Sequence, residues 1–93
     1  MEKITGKTST GFEYSFDKRI VTDWGFMTLL QKVMTISEEK NADKLKIMQD
    51  LILMTLGEEQ SERLIDHVRT YNEGFAPIDV VMKELGEIIE SKN

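Results

Sequence analysis

The sequence predicts a mainly α-helical fold: a four-helix bundle-like domain with an N-terminal β-hairpin. From residue 22 onwards, apolar residues recur at helical spacing over four stretches, which is typical of amphipathic helices. Before them, aromatic and polar residues alternate over residues 12–16, which indicates a strand. A length of 93 residues is that of one domain, so residues 1–93 are expected to form a single unit.

The predicted hairpin spans residues 3–16 and pairs Lys3–Gly6 with Phe12–Phe16. Three aromatic residues alternate with polar ones along the second strand, with Tyr14 in the middle, so their rings share one face. Two strands alone are only marginally stable in water. We therefore expect these rings to pack on helices or on another subunit.

The first helix is predicted over residues 22–36, and its apolar residues fill an arc of roughly 180°. Trp24 lies outside this arc, on the polar side of the helix. Either it packs beneath the hairpin, or it stands exposed as an anchor for a partner, a role in which tryptophan is enriched. The residues of the arc are Phe26, Met27, Leu29, Leu30, Val33, Met34 and Ile36.

The second helix is predicted over residues 42–56, and Asn41 is a favourable N-cap for it. This helix is apolar on nearly every side, as expected for a helix at the centre of a bundle. Ile52 lies opposite its narrow polar wedge, so we expect Ile52 to be among the most buried residues. The wedge consists of Asp43, Lys46 and Asp50.

Two further helices are predicted over residues 58–72 and 77–90, each with an apolar arc of roughly 120°. Gly57 and Gly74 suit the left-handed residue that ends a helix. Pro77 suits the first helical turn, where its missing N–H costs nothing. Each helix therefore has one face that needs a partner.

Composition excludes several classes of protein. The net charge is −5 and the isoelectric point about 4.8, whereas a nucleic-acid-binding surface is normally basic. With no cysteine, neither a disulfide framework nor a cysteine zinc site can form. No stretch approaches the ~20 apolar residues of a membrane helix, and Met1 leads into polar residues instead of a signal peptide. We expect a cytoplasmic protein that binds neither nucleic acid nor membranes.

No motif for catalysis, a cofactor or a metal is found. The single histidine, His67, lies near the edge of an apolar arc, and no nucleophile or orienting acid is indicated for it. Glu58, Glu59 and Glu62 open a helix, where they complement its dipole. The glycines lack the spacing of a phosphate-binding loop. We therefore predict no enzyme activity, no cofactor and no metal site.

Five internal methionines are expected mainly in the core. Their flexible thioether side chains also suit surfaces that bind variable partners, which is the alternative interpretation. They are Met27, Met34, Met48, Met54 and Met82.

A family pattern runs through the C-terminal half of the chain. It begins with the run Leu56-Gly57-Glu58-Glu59-Gln60, which is followed by Leu64, His67 and Gly74. It ends with the stretch Leu85–Ile89, which contains Glu87. Upstream, a helix opens at Asp23-Trp24 after the alternating strand. Over roughly residues 12–90 this arrangement resembles the tail assembly chaperones of long-tailed (siphovirus-type) bacteriophages of Gram-positive hosts. The family usually has Ser or Thr before its last helix, where this chain has Ala76-Pro77.

The resemblance implies a chaperone that binds the tape measure protein, a long and largely helical chain, and keeps it soluble during tail assembly. It also implies a homo-oligomer in the host cell cytoplasm that uses no nucleotide and no covalent chemistry. We predict that Trp24, Tyr14 and Met27 contact the partner. The alternative is a small DNA-binding regulator of the helix-turn-helix type, but its recognition helix should be basic, and the net charge argues against it.

Overall fold

The computed structural model describes residues 2–36 and 41–90, apart from the side chain of Asn41. Within these residues the fold is mainly helical, with a two-stranded antiparallel hairpin at the N-terminus. The elements are strands β1 (Lys3–Lys7) and β2 (Glu13–Asp17), a 3-10 helix (Lys18–Thr22), and helices α1 (Trp24–Thr35), α2 (Asn41–Tyr71) and α3 (Ile78–Ile89).

The hairpin pairs β1 with β2 in a register that runs from Lys3 opposite Asp17 to Lys7 opposite Glu13. Gly6 lies opposite Tyr14, and a Cβ atom at Gly6 would come within 2.5 Å of the tyrosine oxygen. Glycine at this position therefore makes room for the ring of Tyr14. The hairpin is the one expected, although β2 begins at residue 13 and ends one residue later than predicted.

The aromatic face of the hairpin is covered by helices of the same chain. Phe12, Tyr14 and Phe16 are all buried, together with Ile4 from β1, and β2 packs against α2. A second subunit is therefore not needed to cover these rings. This removes one of the reasons for expecting self-association.

Helix α1 begins at Trp24, two residues later than predicted, because Asp23 caps it. The Asp23 carboxylate accepts hydrogen bonds from the backbone N–H groups of Gly25 (2.8 Å) and Phe26 (3.4 Å). Asp23 itself has an extended backbone, which separates α1 from the preceding 3-10 helix. The side chain of Asp17 caps that short helix through the N–H of Arg19. The predicted cap of the next helix, the Asn41 side chain, lies outside the described residues.

The prediction of a four-helix bundle is wrong: the described residues form three helices. The second and third predicted helices are one element, α2, which is kinked at Gly57 with a non-helical φ of 80° and ψ of 172°. The chain changes direction at Gly57, so its two segments (residues 41–56 and 58–71) line the two sides of one cavity. Two side chains support the kink: Gln60 donates to the carbonyl of Leu56 (2.9 Å), and Ser61 donates to that of Gly57 (2.6 Å).

A short turn joins α2 to α3. Glu73 and Gly74 both have positive φ, of 56° and 93°, and the Gly74 N–H donates to the carbonyl of Arg69 (2.7 Å). Pro77 is the extended residue that precedes α3 and offers no side-chain cap, so the helix begins at Ile78.

Helix α2 is the centre of the core and packs against α1, α3 and β2. Ile52 is buried as predicted, and so are its neighbours Met48 and Leu51. The other helices contribute buried side chains to the same cluster, among them Phe26, Val33, Val81, Leu85 and Ile88.

Candidate partner-binding surface

The structure separates the three residues predicted to contact a partner. Trp24 is 87% exposed and Met27 is 51% exposed, so both side chains are available on the surface of α1. Tyr14 is 7% exposed and its ring lies over Gly6. Tyr14 therefore belongs to the core under the hairpin, whereas Trp24 and Met27 are accessible to a partner.

An exposed apolar stripe runs along α1, on the side turned away from the core. It consists of Trp24, Met27 and Met34, which is 75% exposed. At 100° per residue these three side chains share an arc of roughly 80°, while the buried Phe26 and Val33 lie on another face of the helix. We call Trp24, Met27 and Met34 the α1 stripe. The fold thus covers one part of the apolar arc of α1 and leaves Met27 and Met34 exposed, with Trp24 beside them.

At the end nearest Met34, the α1 stripe meets an apolar hollow of about 290 Å³ between the three helices. Three methionines, Met34, Met48 and Met82, line this hollow. Unbranched thioether side chains adapt their shape to what they contact. The expectation that the methionines lie mainly in the core therefore holds for Met48, which is buried, but not for Met27 or Met34. The remaining lining residues are Leu30, Val33, Leu51, Leu85, Gly86, Ile89 and Glu90.

Charge is nearly absent from α1, where Lys32 is the single charged residue. A contact on the α1 stripe would therefore bury mostly apolar surface. Burial of this kind is favourable by roughly 25 cal/mol per Å² of apolar area. The surface is suited to shape and apolar contact more than to ion pairing.

A cluster of polar side chains lies where the hairpin turn meets α3. The carboxylate of Glu84 is 1% exposed and accepts hydrogen bonds from the hydroxyls of Thr8 (2.8 Å) and Thr10 (2.8 Å). The Nε2 atom of His67 lies 2.9 Å from the Thr10 hydroxyl and 4.0 Å from Glu84. A buried carboxylate is costly unless it is hydrogen-bonded, and here two hydroxyls satisfy it.

The hydrogen bonds in this cluster do not activate a nucleophile. The single proton of the Thr10 hydroxyl goes to Glu84, so Thr10 accepts its bond from His67, which carries a proton on Nε2. A general base would have to accept a proton from the threonine instead. We therefore interpret Thr8, Thr10, His67 and Glu84 as the contact that holds the hairpin turn on the helices.

Two further contacts secure the hairpin. Glu87 accepts from the backbone N–H (2.7 Å) and the hydroxyl (2.9 Å) of Ser9, and these bonds hold the pKa of Glu87 below its usual range. The side-chain amide of Gln60 bonds both backbone groups of Ser15, at 2.9 Å and 2.7 Å. Gln60 thereby pairs with the outer edge of β2 as a third strand would.

Sequence reasoning missed Glu84 and the turn residues that bind it. One signal was present: Glu84 lies three residues after Val81 and four before Ile88, which are both buried. A carboxylate beside an apolar arc needs hydrogen-bond donors, and the run Thr8–Thr10 offers three hydroxyls, of which those of Thr8 and Thr10 bind Glu84. Which loop supplies the donors is decided by tertiary packing, which the sequence pattern does not contain.

Within residues 2–36 and 41–90, no group of three or more His, Asp or Glu side chains is arranged to hold a metal ion. Among the same residues, no helix has the length and apolar character needed to cross a membrane.

Comparison of the chain with protein-family models, curated proteins and solved structures finds no match. The geometry of the α1 stripe and the resemblance in sequence are therefore what a functional proposal rests on.

Proposed function

We propose that this protein is a tail assembly chaperone that binds helical segments of a phage tape measure protein through the α1 stripe. The observation that carries the proposal is the 87% exposure of Trp24, at one end of a row of exposed apolar side chains. Aromatic anchors dominate binding energy in many interfaces. The sequence resemblance to tail assembly chaperones supplies the identity of the partner.

The mechanism proposed is reversible shielding. A tape measure protein is long and helical, and an amphipathic helix presents its apolar residues at positions i, i+3, i+4 and i+7. Trp24 would insert between such residues, while the methionines of the stripe and of the adjoining hollow adapt to different segments. No nucleotide, cofactor or covalent step enters this mechanism. The partner is released when tail-tube subunits displace the chaperone from the same apolar surface.

The test is co-expression with a phage tape measure protein, followed by affinity capture of the complex. Trp24→Ala should weaken binding by about 2 kcal/mol or more, the range of an interface hot spot. Phe75→Ala is the matched control, because Phe75 is also a highly exposed aromatic residue but does not belong to α1. Equal recovery of the partner with wild type and with Trp24→Ala would exclude the α1 stripe as the binding surface.

A further inference from the structure

A second apolar surface lies between the two segments of α2 and the start of α3. It is a groove of about 580 Å³ that contains no side chain of α1. Leu45, Leu53, Ile65 and Ile78 are among the apolar side chains that line it. Leu45, Leu53 and Ile78 are exposed, so the groove is open to solvent.

The residues that line each side of the groove recur at the spacing of one helix face. On the first segment of α2 the wall includes Leu45 and Leu53, and on the second it includes Ile65 and Arg69. Each wall extends over about two helical turns, or ~12 Å. This length accommodates the apolar ridge of another helix, which packs into grooves between side chains four residues apart.

Charge distinguishes this groove from the α1 stripe. Lys46 and Asp50, on its rim, neutralise each other in an ion pair of 3.0 Å. Arg69 has no carboxylate partner among the described residues, whereas Arg19 and Arg63 each pair with one. Within residues 2–36 and 41–90, the groove therefore presents the positive charge of Arg69 without an ion-pair partner, on a chain whose net charge is −5.

We infer that this groove binds an amphipathic helix of a partner protein that carries an acidic side chain opposite Arg69. Apolar residues of that helix fill the space between Leu45, Leu53 and Ile78, and its carboxylate pairs with the guanidinium. This inference is independent of the proposed function, which concerns α1.

The test uses two synthetic peptides of about 14 residues, each a helix with leucines at i, i+3, i+4 and i+7. One peptide carries Glu next to the leucine stripe and the other carries Lys at the same position. Binding is measured by fluorescence polarisation. Wild type should bind the Glu peptide about fivefold more tightly, the upper range for an exposed ion pair. Arg69→Glu should reverse this preference.

Two exposed apolar residues give a matched pair of variants. Leu53 lines the groove and is 48% exposed, and Met27 lies on the α1 stripe with 51% exposure. Leu53→Asp should weaken binding of the Glu peptide at least about tenfold, as loss of a hot spot does, while Met27→Asp should leave it unchanged. Circular dichroism and urea unfolding confirm that both variants fold.

Several outcomes would overturn the inference. They are the absence of binding to wild type, equal affinity for the two peptides, and binding that Leu53→Asp does not weaken. Sedimentation that shows a dimer abolished by Leu53→Asp would assign the groove to a second copy instead. Loss of peptide binding in Met27→Asp alone would move the site to the α1 stripe.

Discussion

The contact between the hairpin and the helices differs from the α1 stripe in how much of its surface the fold covers. Where the hairpin meets α2 and α3, the aromatic rings are buried, and the turn hydroxyls and Glu84 satisfy each other. Along α1, Trp24 and Met34 are exposed and touch little of the chain itself. The hairpin contact is closed, whereas the α1 stripe is open.

This difference separates residues that stabilise the fold from residues available for the proposed binding. A closed contact stabilises the fold, so substitutions there should lower the free energy of unfolding. An open apolar stripe adds little to the stability of the fold, and a large exposed apolar surface often marks a protein–protein contact. Substitutions in the closed contact should therefore cost more stability than substitutions in the open stripe.

The largest loss of stability is expected from Ile52→Ala, in the centre of α2. Ile52 is buried, and truncation of such a side chain usually lowers the free energy of unfolding by about 2–5 kcal/mol. Leu53→Ala, one residue further, changes an exposed side chain and should cost much less. Urea unfolding measures both. A loss under ~0.5 kcal/mol for Ile52→Ala, the range of surface substitutions, would contradict the central position of α2.

Glu84→Leu should cost about 1–3 kcal/mol, because the hydroxyls of Thr8 and Thr10 lose their acceptor in a buried site. A double-mutant cycle with Thr8→Val tests the interpretation. Removing the donor together with the acceptor should recover part of the loss, with a coupling energy of at least ~0.5 kcal/mol. Strictly additive effects would mean that the hairpin turn is not held by this hydrogen bond.

Stability should fall in acid, partly through Glu87. Hydrogen bonds from the backbone N–H and then the hydroxyl of Ser9 hold the pKa of Glu87 below its usual range, and Arg19 lowers the pKa of Asp17 to about 2. A carboxyl whose pKa is lower in the folded state stabilises the fold above its unfolded pKa, and this contribution is lost as pH falls through the folded value.

Glu87→Gln should therefore reduce stability at neutral pH. It should also make the loss of stability in acid less steep as the pH falls through the ordinary glutamate pKa of ~4.3 and below it, because the folded pKa of Glu87 is lower. Urea unfolding at several pH values measures the slope. An acid slope identical to that of wild type would show that the bonds between Glu87 and Ser9 do not persist in solution.

The smallest stability effect is expected on the open side. Trp24→Ala should change the free energy of unfolding by no more than about 0.5 kcal/mol, because the side chain is exposed. Thermal and urea unfolding of the variant beside wild type provide the measurement. A loss comparable to that of Ile52→Ala would place Trp24 in the core.

Much of this fold could be predicted from local pattern. Alternating aromatic residues identified β2, and helical spacing identified the helices, since each pattern follows directly from side-chain periodicity. The unusual backbone at Gly57 was also predicted, but as the end of a helix. Glycine permits a positive φ without showing whether a loop or another helix follows, so the single kinked α2 was not predicted.

The exposure of the α1 stripe could be predicted only in part, because sequence periodicity describes one helix and not its packing against others. The helical arc excluded Trp24 from the core of α1, and that geometry is local. Tyr14 was predicted to contact a partner although it is buried. The alternating pattern of a strand face is the same whether that face packs on helices of its own chain or on a partner. Met34 belongs to the predicted apolar arc, yet it is 75% exposed, because α2 packs against only the other part of that arc. Such coverage depends on how helices pack, which sequence periodicity does not specify.

The fluorescence of Trp24 tests the central claim most directly, because it is the single tryptophan of the chain. The free protein should emit as a water-exposed indole that soluble quenchers reach easily. Titration with a tryptophan-free helical segment of the tape measure protein should shift the emission to shorter wavelength and protect it from quenching. Blue-shifted, protected emission in the free protein, or emission unchanged in a complex formed by independent assay, would contradict an open α1 stripe that binds the partner.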